Sequence, residues 1–469
     1  MAVSSWAAII GLYHRSAHPP QHTAMTDRAR PNQFALLSQR RFAPFFWTQF
    51  GGAGNDNLFK FAFTVMVTYR ATDQTALSTG LMVNLIAALY ILPFVLFSAT
   101  SGQLADKYDK AALMRRVKTL EIAIMLLALW GFVTANIPAL LACTFGMGLH
   151  STLFGPAKYA YLPQHLSPAE LTGGNGMTEM GTFVAILLGN LAGGLVMTFE
   201  RGPLLAGLAC VAVALLGWTA ARFIPATAPV DPQLRINWNP FTETGRNLRL
   251  AAADRTVLQA LLAISWMWFY GVAFLTQFPV FAKDVLGGNE AVASLLLGVF
   301  SIGIALGSLA CEGLARGRVE IGLVPLGALG MTVFGIDLFF ATRNLPHPAA
   351  LQEVLPFVRD PAHWRVMLDL FLLSASAGIY SVPLYALIQH HTPVTHRARV
   401  IAANNILNAI YMVVCSGYCA ALLVAGVDVP TLLLSVALLN ALAAGWLIWR
   451  QPLYGRRFVA WALRRSPAP

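Results

Sequence analysis

Long apolar runs, separated by short polar segments, are the main pattern of this chain. Twelve runs of about 20 residues or more can be placed, each long enough to cross the ~30 Å hydrocarbon core of a bilayer as a helix. They show no alternation of apolar and polar positions, so a β-barrel is not indicated. Because only helices satisfy their own backbone polar groups in lipid, we expect an all-α membrane protein with twelve transmembrane helices. The predicted spans are 43–70, 77–103, 116–134, 136–158, 173–199, 203–224, 258–283, 290–315, 321–342, 365–387, 399–426 and 429–450.

Composition and charge agree with this class. Hydrophobic residues make up 57% of the 469 positions and charged residues only 11%, too few to solvate a soluble protein of this length. If both termini are cytoplasmic, the inner segments hold 25 of the 32 Lys and Arg residues, as the positive-inside rule requires. The net charge of +11 then reflects topology and contact with anionic lipid, and no nucleic-acid partner is indicated.

The longest predicted inner segment, 225–257, is rich in Pro and Arg and divides the chain into two halves. The halves, 41–224 and 258–450, would each contain six helices. Such halves commonly arise as repeats with a substrate site between them near the bilayer midplane. Residues 1–40 are expected to form an N-terminal extension without ordered structure, and 451–469 a basic cytoplasmic tail.

The first short inner loop reads GQLADKYDK and follows predicted span two. It resembles the loop signature of the major facilitator superfamily, with Asp109 in place of the usual glycine. Asp106 is expected to pair with a base and with a neighbouring helix N-terminus in one transporter state, since both stabilise its negative charge. The alternative is a solvated loop acid. The predicted gating residues are Gly102, Asp106, Lys107 and Lys110.

Predicted span one contains an acid and a base, Asp56 and Lys60. Because they are four residues apart, they share a helix face and can form an ion pair. A charge facing lipid would cost about 2.5–3.5 kcal/mol on insertion scales, so both should face the bundle interior, beside Asn57. The alternative role is a structural ion pair that locks the bundle.

Two more charged residues, Lys158 in span four and Glu179 in span five, lie in the same half. Spans one, four and five of such a half can all line the central cavity. Lys158 would bind phosphate as a point charge, and an acid would bind an ammonium group or hold Lys158 in the empty site. His150 is interpreted as a packed polar residue. The predicted substrate-binding residues are Asp56, Asn57, Lys60, Lys158, Glu179 and, from span eleven, Asn405.

Three stretches of the first half resemble the lysophospholipid transporter family of the major facilitator superfamily: QRRFAPFFWTQFGGAGNDNLFK, FGPAKYAYLPQHL and GGNGMTEMGTFVAILLGNLAGGL. The similarity covers roughly residues 39–450 and is strongest to the transporter portion of bacterial transporter–acyltransferase fusions. It implies a major facilitator fold and a flippase-like carrier that works by alternating access. It also implies that the family's intramembrane acid, lysine and glutamate correspond to Asp56, Lys158 and Glu179. Asn408 stands where relatives can carry an acid.

The resemblance further implies movement of lysophospholipids toward the cytoplasmic leaflet of the bacterial inner membrane. There an acyltransferase would restore the missing chain. Little sequence follows Arg450 beyond a basic tail, so we expect this chain not to be an enzyme and the acyltransferase to be a separate partner. No cofactor or metal is expected.

Two other functions are compatible with the sequence. One is an ion-coupled exporter of small amphipathic solutes or drugs. The other is a membrane scaffold for a lipid enzyme that transports nothing, for which substitutions of Asp56 and Lys158 would leave lipid repair intact.

Overall fold

Twelve long helices make up most of the part of the chain that the computed structural model describes. The structure describes residues 32–69, 79–316, 318–343, 345 and 350–463. Within these ranges the long helices have 20 to 29 residues. They are α1 Ala43–Tyr69, α2 Thr79–Lys107, α3 Lys110–Val133, α4 Ile137–His165, α5 Leu171–Thr198, α6 Gly202–Arg222, α7 Arg255–Val280, α8 Glu290–Ala315, α9 Leu323–Thr342, α10 Trp364–His391, α11 Arg397–Val424 and α12 Val429–Arg450.

The helical architecture agrees with the predicted membrane fold. In the described part of the chain, ten helices are long and apolar enough to cross a membrane. The other two long helices, α1 and α3, are of similar length, at 27 and 24 residues. These two helices are more polar because charged side chains lie within them.

Helix α4 is longer than the predicted span, which ended at residue 158. It continues to His165 through Pro156 and Pro163, although a proline removes one helical hydrogen bond. Near this point the Ser101 hydroxyl of α2 donates to the Leu153 carbonyl at 3.2 Å. Helix α2 thus contacts the backbone of α4 directly beside the proline.

The two halves repeat one packing order. Helix α1 packs on α5, α2 on α4 and α3 on α6; correspondingly α7 packs on α11, α8 on α10 and α9 on α12. Glycines permit close approach: a Cβ added at Gly193 of α5 would lie 2.7 Å from the Leu58 carbonyl oxygen of α1. The halves meet where α2 contacts α11 and where α5 contacts α8.

The segment between the halves contains a short helix, Pro240–Ala252, that packs against α2, α7 and α11. We call the ends of the helices that carry this segment the linker side. The predicted tail also contains a helix, Leu453–Ala462, and its Trp461 indole donates to the Leu314 carbonyl at 2.9 Å. Residues 464–469 of the tail lie outside the described residues.

The predicted N-terminal extension is partly ordered. Residues 1–31 lie outside the described residues, but Gln33–Ser38 forms a 3₁₀ helix. The Asn32 side chain caps this helix, and Leu36 is buried in the core. Because these contacts fix its position, the segment from residue 32 belongs to the folded unit.

Candidate functional site

A cavity of about 690 Å³ lies between the two halves. This volume falls within the range of roughly 300–1,000 Å³ that is typical of small-molecule sites. All six residues predicted to bind substrate line it. Most of the remaining lining is apolar or aromatic. The polar and charged lining includes Gln49, Asp56, Asn57, Lys60, Tyr90, Lys118, His150, Ser151, Lys158, Tyr159, Glu179, Thr182, Asn190, Tyr385, Asn405 and Asn408.

Asp56 is buried, and two hydroxyl groups donate to its carboxylate. One is Tyr90, at 2.9 Å, and the other is Ser151. The expected direct ion pair with Lys60 is not formed, because Tyr90 of α2 lies between the acid and the base. The Lys60 ammonium is 3.9 Å from the centroid of the Tyr90 ring, a cation–π contact. Tyr90 therefore holds the anion with its hydroxyl and the cation with its ring.

A buried ionic network lies beside Asp56, and the sequence reasoning missed it. Lys118 and Glu121 of α3 form an ion pair with no exposed side-chain surface. Glu121 also accepts a hydrogen bond from the Asn55 amide at 2.7 Å, and His150 Nε2 lies 3.3 Å from its carboxylate. His150 Nδ1 is 4.0 Å from Asp56. The imidazole thus lies between two carboxylates.

Lys118 lies within predicted span three, and no site is predicted for it from the sequence. Its ammonium reaches into the space beside Gly217 of α6, where an added Cβ would lie 2.8 Å from Nζ. A base followed three residues later by an acid, within an otherwise apolar run, was the signal that could have identified the pair. His150 is packed and buried as predicted, and it also lines the cavity.

Lys158 and Glu179 both line the cavity, but each has a different partner from the one expected. The Lys158 ammonium donates to the Thr182 hydroxyl at 2.9 Å, while Glu179 accepts a hydrogen bond from Tyr159. The direct Lys158–Glu179 contact expected for an empty site is not formed. Because Lys158 binds a neutral hydroxyl, its positive charge is not neutralised by direct contact with a carboxylate.

The second half contributes amides and aromatic rings. Asn405 lies close to α4, since a Cβ added at Gly155 would be 2.7 Å from its amide nitrogen. Asn408 is hydrogen-bonded to Ser265 at 2.8 Å. Of the aromatic residues in α7, Trp268 lines the cavity, whereas Phe274 is buried in the core. This half therefore lines the cavity with neutral groups, and the charges come from the first half.

The predicted gating acid joins the halves on the linker side. Asp106 accepts a hydrogen bond from Arg399 Nε at 3.0 Å and one from the Ala398 backbone N–H at 3.3 Å. These are a base and the N-terminus of α11, the two kinds of partner expected for it. Gly102 allows this approach, because an added Cβ would lie 2.9 Å from the Arg399 Cα atom. The Asp106 and Arg399 side chains are buried.

The other two predicted gating residues lie next to this contact. Lys107 donates to the Leu234 carbonyl of the linker at 2.8 Å, so it fixes the linker and does not contact the second half there. Lys110 is buried at the start of α3. The sequence does not identify Arg399 as the partner of Asp106, because this pairing depends on tertiary structure.

Further contacts close the linker side between α5 and the second half. Asn175 and Gln389 exchange two side-chain hydrogen bonds, at 2.7 and 3.0 Å. Gln33 of the 3₁₀ helix contacts α8 through its backbone N–H to Glu312, at 3.0 Å, and its side chain to the Leu309 carbonyl, at 2.9 Å. The cavity is therefore separated from the linker side by several layers of contacts.

Comparison with known proteins agrees with this architecture. Over 345 residues the chain is 27% identical to the lysophospholipid transporter LplT of Yersinia enterocolitica, covering 73% of this chain and 76% of that protein. It is 26% identical to the protein of the same name from an Enterobacter species over 368 residues, or 77% and 85% of the two chains. The outward conformation of the transporter FucP has the same fold, with a TM-score of 0.66 over 87% of this chain and 98% of FucP at 14% identity.

A profile of one large family covers most of the helical region. Residues 45–416, from the start of α1 to the second half of α11, match the Major Facilitator Superfamily. The two six-helix halves and the cavity between them are the arrangement expected of such a transporter. The chain belongs to the Major Facilitator Superfamily.

Proposed function

We propose that this protein moves lysophospholipids across the bacterial inner membrane toward the cytoplasmic leaflet, by alternating access of its two halves. In this proposal the linker side and both termini are cytoplasmic. The observation that carries it is the central cavity, in which the acids Asp56 and Glu179 and the bases Lys60 and Lys158 face a largely apolar lining. The relatives named as lysophospholipid transporters support the substrate class.

The charged residues of the cavity match a phospholipid headgroup. Lys158 and Lys60 would bind the phosphate, because neither ammonium is paired directly with a carboxylate. Asp56 and Glu179 each accept hydrogen bonds from neutral hydroxyls and neither is in direct contact with a lysine, so both carboxyl groups are placed to receive an ammonium group. Lys118, the third lysine of the lining, is already paired with Glu121. The remaining two acids and two bases fit a headgroup that itself carries charges of both signs.

The acyl chain needs an apolar route beside this site. A second pocket, of about 200 Å³, adjoins the cavity at Phe61 and Asn190, which line both. It lies between α5 and α8, and its other lining residues are mainly leucines, among them Leu187, Leu191 and Leu297. A single chain would extend from the headgroup site along these leucines toward the surrounding lipid.

Transport requires the substrate to bind the two states of the carrier differently. Here the contact of Asp106 with Arg399 would stabilise the state closed on the linker side, with Gly102 permitting the approach of α2 to α11. Lys107 and Lys110 would support the end of α2 that carries Asp106. A separate acyltransferase would then use the lysophospholipid that reaches the cytoplasmic leaflet.

The proposal is tested by transport in proteoliposomes. Fluorescent lysophosphatidylethanolamine and lysophosphatidylglycerol are added, and dithionite measures the fraction left in the outer leaflet. Lys158→Ala should lower the rate for both lipids roughly 10–100-fold, because hydrogen bonds to charged groups contribute about 1.5–3 kcal/mol. Lys283→Ala is the matched control, since this exposed lysine lies in the short π-helix Phe281–Val285 that follows α7, away from the cavity.

Wild-type rates no higher than those of empty liposomes, for either lipid, would refute the proposed substrate class. Equal rates for Lys158→Ala and wild type would remove the proposed phosphate contact. Transport of small amphipathic cations driven by an imposed proton gradient, with no lysophospholipid movement, would instead identify an ion-coupled exporter.

A further inference from the structure

Tyr159 of α4 contacts both the charged site and the closed linker side. Its hydroxyl donates a hydrogen bond to Glu179 inside the cavity. Its ring stacks on Tyr385 of the other half, with centroids 4.4 Å apart and an angle of 3° between the planes. Its backbone carbonyl accepts a hydrogen bond from Gln389 at 3.1 Å. One residue therefore joins a proposed headgroup ligand to two residues of the second half.

The stacked tyrosines lie at corresponding places in the two halves. Tyr159 is six residues before His165, where α4 ends, and Tyr385 is six residues before His391, where α10 ends. At 1.5 Å per residue, both rings are about 9 Å from the linker-side ends of their helices. Since both line the cavity, the pair forms its floor.

Below this floor, Tyr159 also contributes to the amide contact between the halves. Gln389 binds the Tyr159 carbonyl and at the same time exchanges hydrogen bonds with Asn175 of α5. These side chains are buried, so any movement of Tyr159 must alter their packing. The floor and the amide contact are thus linked through a single backbone position.

We propose that Tyr159 is the positioning residue through which an occupied headgroup site opens the linker side, an inference that rests on the proposed function. An ammonium group bound at Glu179 competes with the Tyr159 hydroxyl for the same carboxylate. When the hydroxyl is displaced, the ring is no longer held against Tyr385. The floor and the Gln389–Asn175 contact then separate together, and the substrate favours the open state because it binds there without this competition.

The test uses Tyr159→Phe, which keeps the ring for stacking and removes only the hydroxyl. Tyr161→Phe is the matched control: Tyr161 is also buried in α4, but its hydroxyl donates to the Arg41 carbonyl outside the cavity. Spin labels at Ala169→Cys and Thr395→Cys, exposed positions before α5 and α11, report the separation of the halves on the linker side. The five native cysteines, all buried, are first replaced by serine or alanine.

Lysophosphatidylethanolamine should lengthen the distance between the labels in the parent protein and in Tyr161→Phe. In Tyr159→Phe the lipid should still bind, but the distance distribution should no longer respond to it. Transport should fall roughly 5–150-fold, the usual size of a coupling between two sites. A merely structural role would lower thermal stability and leave the response to lipid intact.

A normal lipid-induced shift in Tyr159→Phe would overturn the inference. If the parent protein neither binds nor transports the lipid, the proposed function fails first, so the two failures can be told apart. If Tyr159→Phe does not fold, Glu179→Gln tests the same link from the other side. It should bind the ammonium lipid more weakly and lose the shift at saturating lipid; a full shift at saturation would contradict the inference.

Discussion

At the scale of single residues, the main feature of the protein is charge buried within the first half. Lys118 and Glu121 are fully buried, and Glu121 also contacts Asn55 and His150. Removing one partner from a buried ion pair leaves an uncompensated charge, which typically costs about 3–5 kcal/mol. Lys118 and Glu121 therefore stabilise the protein chiefly by neutralising each other's buried charge.

Glu121→Gln preserves the shape of the side chain and leaves Lys118 without its anion. The free energy of unfolding should fall by about 3–5 kcal/mol, measured by thermal or denaturant unfolding in detergent. Adding Lys118→Met to the same protein should recover most of the loss, because the unpaired charge is gone. If the double variant is as unstable as Glu121→Gln alone, Glu121 stabilises the protein through its other contacts.

At the scale of helices, the linker-side ends of α1, α4 and α5 are held together by one arginine. Arg41, just before α1, donates to the His165 carbonyl at 2.7 Å and forms an ion pair with Glu170, just before α5. The Arg41 guanidinium holds the pKa of the Glu170 carboxyl at about 2, below its usual value of 4.5. The ordering of these three helix ends thus depends on the ionised form of Glu170.

The stability supplied by this pair should depend on pH. Because the pKa of Glu170 is lowered in the folded state, the contribution is complete above about pH 4.5 and is lost as the pH falls toward about 2. The pair is partly exposed, so it should contribute about 1 kcal/mol or less. Above pH 4.5, Glu170→Gln should unfold at a lower temperature than wild type, with the difference vanishing near pH 2. Glu353→Gln, at an exposed acid before Val354–Arg359, should show no such trend; a constant offset for Glu170→Gln would contradict the prediction.

The sequence predicts elements of this molecule better than contacts between them. The apolar runs locate the twelve long helices of the described residues, and the GQLADKYDK segment points to Asp106 and the two kinds of partner that it has. The sequence does not predict that Tyr90 separates Asp56 from Lys60. It also does not predict that Glu179 forms its hydrogen bond with Tyr159 and not with Lys158. These partners lie on other helices or on other faces of the same helix. The helical spacing of residues along one span does not predict such contacts.

At the scale of the whole molecule, the structure is closed on the linker side. The α2–α11 contact through Asp106 and the α5–α8 region beside Gln33 lie on either side of the Tyr159–Tyr385 floor. Alternating access requires all three to separate in the other state, and their combined free energy sets how much of the protein is open at rest. Weakening any one of them should therefore raise the open population.

Asp106→Asn tests this directly, because asparagine keeps the shape of the side chain and removes the charge that Arg399 binds. Loss of a charge-assisted hydrogen bond worth about 1.5–3 kcal/mol should raise the ratio of open to closed protein roughly 10–100-fold. A cysteine at Ile186, which lines the cavity, should then react correspondingly faster with a membrane-impermeant maleimide added from the linker side. Asp109→Asn is the matched control, since Asp109 lies only three residues further on, between α2 and α3, but caps α3 and binds the Thr227 backbone within the linker. Equal reaction rates for Asp106→Asn and the parent protein would mean that the Asp106 contact does not limit opening, and that the floor and the α5–α8 contacts hold the linker side closed without it.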